Sequence, residues 1–292
     1  GVLAPLSSSS SSSEEEASAI AAIADEKEPE SVPYAPPPPS AEQPLRIHVE
    51  DSDRRAVAYI VGKAPNRAGF LRDGRSLVEA VVQHVQASSK SNTEVNVPAR
   101  WQHPVFATVA LTLLQEVINR RLFSVVREKK QLTYDANFQF ADLDRLRGGW
   151  YLVSCTAAPR NADKALEACQ ETLKAIGSKQ PPSRDNLDSA RRVVINRHLG
   201  ELTSNRYWCD LLTGTTFDSM PNKSFRAIAD YAAIAEQVTV NDLISILNFL
   251  DTDTHVTFSC VATSGETTQD DVINSTPELD AHACSHVSLR RR

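Results

Sequence analysis

The amino-acid sequence predicts an α+β fold in which helices are segregated to one face of a mainly antiparallel sheet. Three observations predict it. Ala56 to Val61 is a short apolar run bounded by Gly62 and Pro65, as in a buried strand. At Leu132 the apolar spacing changes from a helical stripe to a period of two. Amphipathic helical segments then separate that hairpin-like region from a last apolar strand near the end of the globular part.

The first strand, 56–61, is followed by a loop, Gly62 to Gly74, whose Pro65-Asn66 pair signals a turn. Residues 76–86 predict a short helix, and the polar stretch Ser88 to Asn96 a surface loop. Pro104 suits a first helical turn. After it, Val105, Val109, Leu113 and Val117 with Phe106, Ala110, Leu114 and Ile118 form a broad apolar stripe, the mark of a core helix. A second helical stretch, Arg121 to Lys130, continues the stripe through Leu122, Phe123 and Val126. Residues 133–141 and 149–157 alternate as paired strands around the turn segment Asp142 to Gly148. Helices follow at Asn161 to Ile176, with Gly177 as C-cap, and at Ser183 to about Leu202, with Ser183 as N-cap. Further helical segments are expected at 206–218, 224–236 and 239–250, and a closing strand at His255 to Ala262. No internal repeat is visible.

Of 292 residues, 41% are apolar, enough for a sizeable core. Apolar segments begin only around Leu45. Residues 1–44 carry the serine run Ser7 to Ser13, the acidic Glu14 to Glu16 and the proline run Pro36 to Pro39. This composition predicts a disordered linker or tail, in which Ala17 to Ala24 forms at most a transient helix. The globular part is expected at 45–262 and a polar flexible tail at 263–292. The first residue is Gly1 and the early acids do not suit a targeting peptide, so the start reads as a truncation or an internal cut. A net charge of −6 offers no general field for nucleic acid or an anionic membrane. Val105 to Leu114 is about half of the roughly 20 residues a membrane span needs. Cys155, Cys169, Cys209, Cys260 and Cys284 are odd in number and lack a C-x-x-C pair, which fits reduced thiols better than a disulfide framework.

The segment Asn119 to Tyr134 carries the chemistry. Arg127 ends a helix and Tyr134, seven residues on, opens a strand. Alone, the pair also fits a solvated helix-end cation and an amphipathic strand residue. With its surroundings it resembles the C-terminal half of the pitrilysin-type (inverzincin) zinc metallopeptidases, whose arginine and tyrosine Arg127 and Tyr134 match. The likeness extends to Ala56 through Phe70, Asp144 through Tyr151, Arg191, Arg192, His198, Glu201 and Ser204 through Trp208, so it covers about residues 45–262. The first two of those blocks narrow it to the precursor-processing branch of the chloroplast stroma.

The resemblance implies the fold shared with the mitochondrial processing peptidases and a clamshell enzyme. One half of such an enzyme holds zinc through an inverted H-x-x-E-H helix and a distal glutamate, while the other closes over an extended polypeptide substrate. Arg127 would offer a fork of donors and Tyr134 a phenolic donor to the scissile carbonyl or its developing oxyanion.

The chain itself shows no such zinc helix. Seven histidines occur, at 48, 84, 103, 198, 255, 282 and 286, and none begins H-x-x-E-H. His198 and Glu201 share a helical face, but Leu202 stands where a further ligand is needed, and two donors are too few. His198 is therefore expected on a helix surface or at an interdomain contact. His282, Cys284 and His286 alternate in the tail, where an adventitious metal site competes with plain disorder. Arg191, Arg192, Arg197 and Arg206 either attract acidic segments or form an exposed face balanced by Asp185, Asp188 and Glu201. No phosphate loop, dinucleotide fingerprint or nucleophile elbow is present.

Two functions follow. One is the substrate-binding half of a zinc metalloendopeptidase, inactive alone, with Zn²⁺ in a partner or missing N-terminal half and none bound by this chain. The other is a non-catalytic subunit or degenerate homologue that binds extended peptides or pairs with a catalytic half. A fragment whose zinc helix lies upstream is a third possibility.

Overall fold

The computed structural model describes residues 44–88, 97–141, 148–213, 226–252 and 257–265. The apolar run at Ala56 lies in β2, Arg55–Ala64, so the strand includes Gly62 rather than ending before it. The alternation after Leu132 becomes β3, Asp135–Phe140, and β4, Gly149–Ala157. The last strand, β5, is Phe258–Gly265, shifted toward the C-terminus from the expected 255–262. A strand that the apolar pattern did not predict, β1 at Leu45–Glu50, precedes them all.

These strands form one five-stranded sheet in the order β1-β5-β2-β4-β3. Only β1 and β5 run parallel, and the other neighbours are antiparallel. The register sets Ala58 opposite both Cys155 and Val261, and Val153 opposite both Ile60 and Phe138. Because side chains alternate across a strand, these buried residues share one face.

Helices cover that face. They are α1, Leu77–Ser88; α2, Phe106–Leu122; α3, Ala162–Gly177; α4, Arg184–Glu201; α5, Asn205–Leu212; α6, Arg226–Gln237; and α7, Val240–Leu247. The long apolar stripe makes α2 the central one. It buries Val109, Leu113, Leu114, Val117, Ile118 and Leu122, each contributing about 1.5–3 kcal/mol on leaving water. Pro104 lies just before α2 rather than in its first turn. The helix at Ser183 starts as expected: the Ser183 hydroxyl accepts from Asn186 N at 3.2 Å and Asn186 Oδ1 accepts from Ser183 N at 3.2 Å. Residues 1–43, 89–96, 142–147, 214–225, 253–256 and 266–292 lie outside the described residues, and so do the readings that fall on them.

Two buried polar anchors tie the layers. Tyr151, on β4, stacks on Phe138 with ring centroids 5.1 Å apart and donates its hydroxyl to the Asp251 carbonyl at 2.6 Å. Burial, with the Asp251 charge nearby, pushes its phenol well above the ordinary value. Its ring lies over Gly62, where an added Cβ would stand 2.4 Å from Tyr151 Cε1. The other anchor is Asp242, 2% exposed at the start of α7. It accepts from Arg100 Nε and Nη2 at 2.9 Å each, Trp101 Nε1 at 2.8 Å and Thr239 N at 2.7 Å. Burial alone would raise its pKa, but Arg100, the Thr239 amide and Trp101 together hold the carboxyl below its ordinary value.

Gly62→Ala is therefore expected to lower stability by about 1–3 kcal/mol through overpacking, measured by denaturant unfolding. The loss should shrink in a Tyr151→Leu background, since the two positions are in contact. Because the folded Asp242 carboxyl titrates lower than the unfolded one, it stabilises the fold at pH above about 3.9. That contribution disappears as pH falls through the folded value, so an Asp242→Asn chain should lose less of its melting temperature on acidification than the native chain.

Candidate functional site

The site grows from the contact between α2 and the sheet edge. β3 is an outer strand, so alternate residues turn backbone N–H and C=O away from β4. The side-chain amide of Asn119 meets both groups of Phe138: its Oδ1 accepts from Phe138 N at 2.6 Å and its Nδ2 donates to Phe138 O at 3.0 Å. Four residues earlier, Gln115 Oε1 accepts from Phe140 N at 3.2 Å. Four helical residues rise about 6 Å and two strand residues about 6.6–6.8 Å, so helix and strand stay in step. The next position on the helix is Phe123 and the next on the strand is Ala136, where no carboxamide is available.

At Phe123 the helix also widens. Phe123–Lys129 continues as a π-helix, closed by Lys130 N donating to Val125 O at 3.0 Å, and past its end Leu132 N donates back to Val126 O at 3.1 Å. Gln131 then takes φ 53° to reverse the chain. The expected second helix is thus a wide extension of the first. Arg127 is exposed on it, with its guanidinium carbon 4.9 Å from the centroid of the Phe123 ring, a cation–π contact.

Thr133, which is buried, holds the turn into the strand. Its hydroxyl oxygen lies 2.6 Å from both the Asp135 and Thr156 carbonyl oxygens and accepts from Asp135 N at 3.2 Å. Tyr134 N donates to Thr156 O at 2.8 Å, so β3 begins one residue after Tyr134 and the phenol stands 70% exposed.

Between these elements lies a cleft of about 610 Å³. Its walls include Phe123, Ser124 and Glu128 from the widened helix, Ala136 and Asn137 from β3, and Arg197 from α4. Arg127 and Tyr134 do not line it; they border the segments that do. Glu116 is held by Arg120 Nε at 3.1 Å and Arg197 Nη2 at 2.8 Å, and with Glu128 the lining sets two acids against two bases. The cleft offers hydrogen bonds and an aromatic wall rather than a field of one sign.

The remaining sequence candidates are dispersed. His198 is buried at 5% exposure, not on the surface, because its ring stacks on Tyr231 at 4.0 Å and meets Tyr207 edge-on at 5.9 Å. His198 and Glu201 do not fit zinc: they supply two donors, the imidazole being enclosed by aromatic rings. Among the described residues no three His, Cys, Asp or Glu are grouped to hold a metal ion. Arg191 donates to the Ala235 and Val238 carbonyls at 2.8 and 2.9 Å, where α6 ends, and pairs with Asp188. Arg206 is exposed beside Asp210. Cys155, Cys169 and Cys260 are buried free thiols and Cys209 is exposed. His282, Cys284 and His286 lie outside the described residues. No described helix is long and apolar enough to cross a membrane.

Comparison with known proteins gives concordant results. Residues 11–194 match the family model described as the Peptidase M16 inactive domain. The chloroplastic stromal processing peptidase of Pisum sativum is 36% identical over 250 residues, which are 83% of this chain and 20% of that protein. For the Arabidopsis thaliana protein of the same name the identity is 37% over 231 residues, 75% of this chain and 18% of that protein. The chain thus spans about a fifth of the length of these curated relatives. Among solved structures, a peptidase M16 inactive domain from Pseudomonas fluorescens aligns with TM-score 0.50 and 18% identity, over 87% of this chain and 52% of that chain. A protease from Helicobacter pylori aligns with TM-score 0.51 and 16% identity, over 82% of this chain and 48% of that chain. At these identities the structural likeness concerns the fold.

Replacing Asn119 by Leu keeps the size of the side chain and strips both partners from Phe138. Unfolding by denaturant should show a loss of about 1–3 kcal/mol.

Proposed function

Because the chain belongs to the Peptidase M16 inactive-domain family, we propose that it is the C-terminal, substrate-holding half of a zinc metalloendopeptidase that processes precursor polypeptides. The zinc-binding half is another part of the same parent chain or a separate subunit, and it supplies the metal chemistry. The chain alone does not cleave peptides. The working compartment is the chloroplast stroma, by analogy with the relatives' names, and the substrate an extended precursor from which a transit peptide is removed.

One observation supports this reading: Arg127 and Tyr134 are both exposed, Arg127 on the widened helix that walls the cleft and Tyr134 one residue before the strand that forms its other wall. Arg127 resting on the Phe123 ring has part of its side-chain freedom already removed, so less is lost when it grips a carbonyl oxygen. Thr133 fixes the backbone from which Tyr134 projects. A planar guanidinium and a phenol are donors suited to a carbonyl oxygen and to the greater charge it develops during attack. The neutral, amide-rich cleft beside them suits a polypeptide backbone. Glu128 remains available to a basic side chain of the substrate.

Reconstitution with a catalytic half tests the assignment. Arg127→Ala and Tyr134→Phe should each lower kcat by roughly 100- to 1,000-fold, as loss of an oxyanion donor does. Unchanged turnover in both would remove the pair from the mechanism. Unchanged turnover with a weakened KM would favour a binding subunit without a part in the chemical step. Cleavage by the purified chain supplied with Zn²⁺ alone would contradict the division of labour.

A further inference from the structure

The edge of β3 is closed at two positions and open at a third. Asn119 satisfies both outward groups of Phe138 and Gln115 accepts from Phe140 N. Ala136 has the same parity in the strand and turns its N–H and C=O to the same side. The helical position in step with it is Phe123, whose ring cannot bond to either group. The helix widens at that residue, and the cleft of about 610 Å³ opens there with Ala136 and Phe123 both in its wall.

A carboxamide is a peptide group in miniature: one donor and one acceptor in a plane. The Asn119 side chain bonded to Phe138 therefore occupies the place of one residue of a neighbouring strand. We propose that Ala136 is the pairing position for substrate, where a single residue of an extended polypeptide makes the reciprocal pair of backbone hydrogen bonds that Asn119 makes at Phe138. The Phe123 ring then packs beside the bound residue. With both outward groups of Phe138 and the Phe140 N–H already engaged, the segment bridges the edge at one residue and cannot add a full strand. The bound chain therefore passes Arg127 and Tyr134 instead of running along β3. This inference rests on the peptide-holding reading and names the backbone atoms that do the holding.

Amide exchange on the full 292-residue chain, with and without a labelled unstructured precursor peptide, tests it. The Ala136 N–H should slow by about tenfold or more when peptide saturates the chain, while Phe138 and Phe140 are unchanged. Two variants address the same point by fluorescence anisotropy. Ala136→Pro removes only an outward N–H, a change that edge strands accommodate, and should weaken peptide binding about tenfold. Phe123→Gln extends the carboxamide series over Ala136 and should weaken it similarly, whereas Phe123→Tyr should not.

If peptide binds and Arg127→Ala weakens it, yet Ala136 exchange and the Phe123→Gln affinity stay at the native values, the pairing position is wrong and the clamp reading stands. If the native chain binds no peptide, with or without a catalytic half, the clamp reading fails and this inference falls with it.

Discussion

The contact between α2 and β3 depends on a coincidence of lengths: one helical step of four residues nearly equals one strand step of two. While the two remain in step, α2 serves two purposes. Its apolar stripe buries Leu113, Leu114 and Val117, and its neighbouring amides satisfy an outer strand that would otherwise present bare backbone groups. The step fails at Phe123, where an aromatic replaces an amide and the helix widens. The cleft, the exposed Arg127 and the turn into Tyr134 all follow that break.

The polar groups divide between rigid and free for a physical reason. Arg100, Arg191 and Arg197 each engage carboxylates or helix-end carbonyls, so they hold the scaffold and leave little charge to attract ligands from a distance. Arg127 has an aromatic ring as its neighbour instead. A ring restrains a guanidinium without occupying its N–H donors, so the group is partly ordered yet still able to bond. The proposed clamp role calls for this combination.

Much of the scaffold was legible in the sequence because its signals are local. Ser183 caps its helix through Asn186, the apolar stripe of α2 is a single-helix pattern, and the switch of period after Leu132 marks β3 and β4. The misses concern partners far apart in the chain. β1 alternates Leu45, Ile47 and Val49 with charged or polar residues, yet its pairing with β5 joins Leu45 to Cys260, which no local pattern reveals. His198 looked like a surface residue because neither Tyr231 nor Tyr207 can be placed against it from spacing alone. Arg127 and Tyr134 could be singled out, whereas Gln115, Asn119 and Phe123 could not. Their role is fixed by the docking of a helix on a strand, and the i, i+4 spacing of two amides ending in an aromatic was the only trace available.

The strand order has a consequence for synthesis. β5 lies between β1 and β2, so an interior place in the sheet is filled by the last of the described strands in chain order. Until Phe258 to Gly265 emerges, β2 has a neighbour on one side only, and Val57, Tyr59 and Val61 border an open seam. At that stage the unpaired edge of β2 is open to misassociation, and β1 stays unattached until its parallel partner arrives.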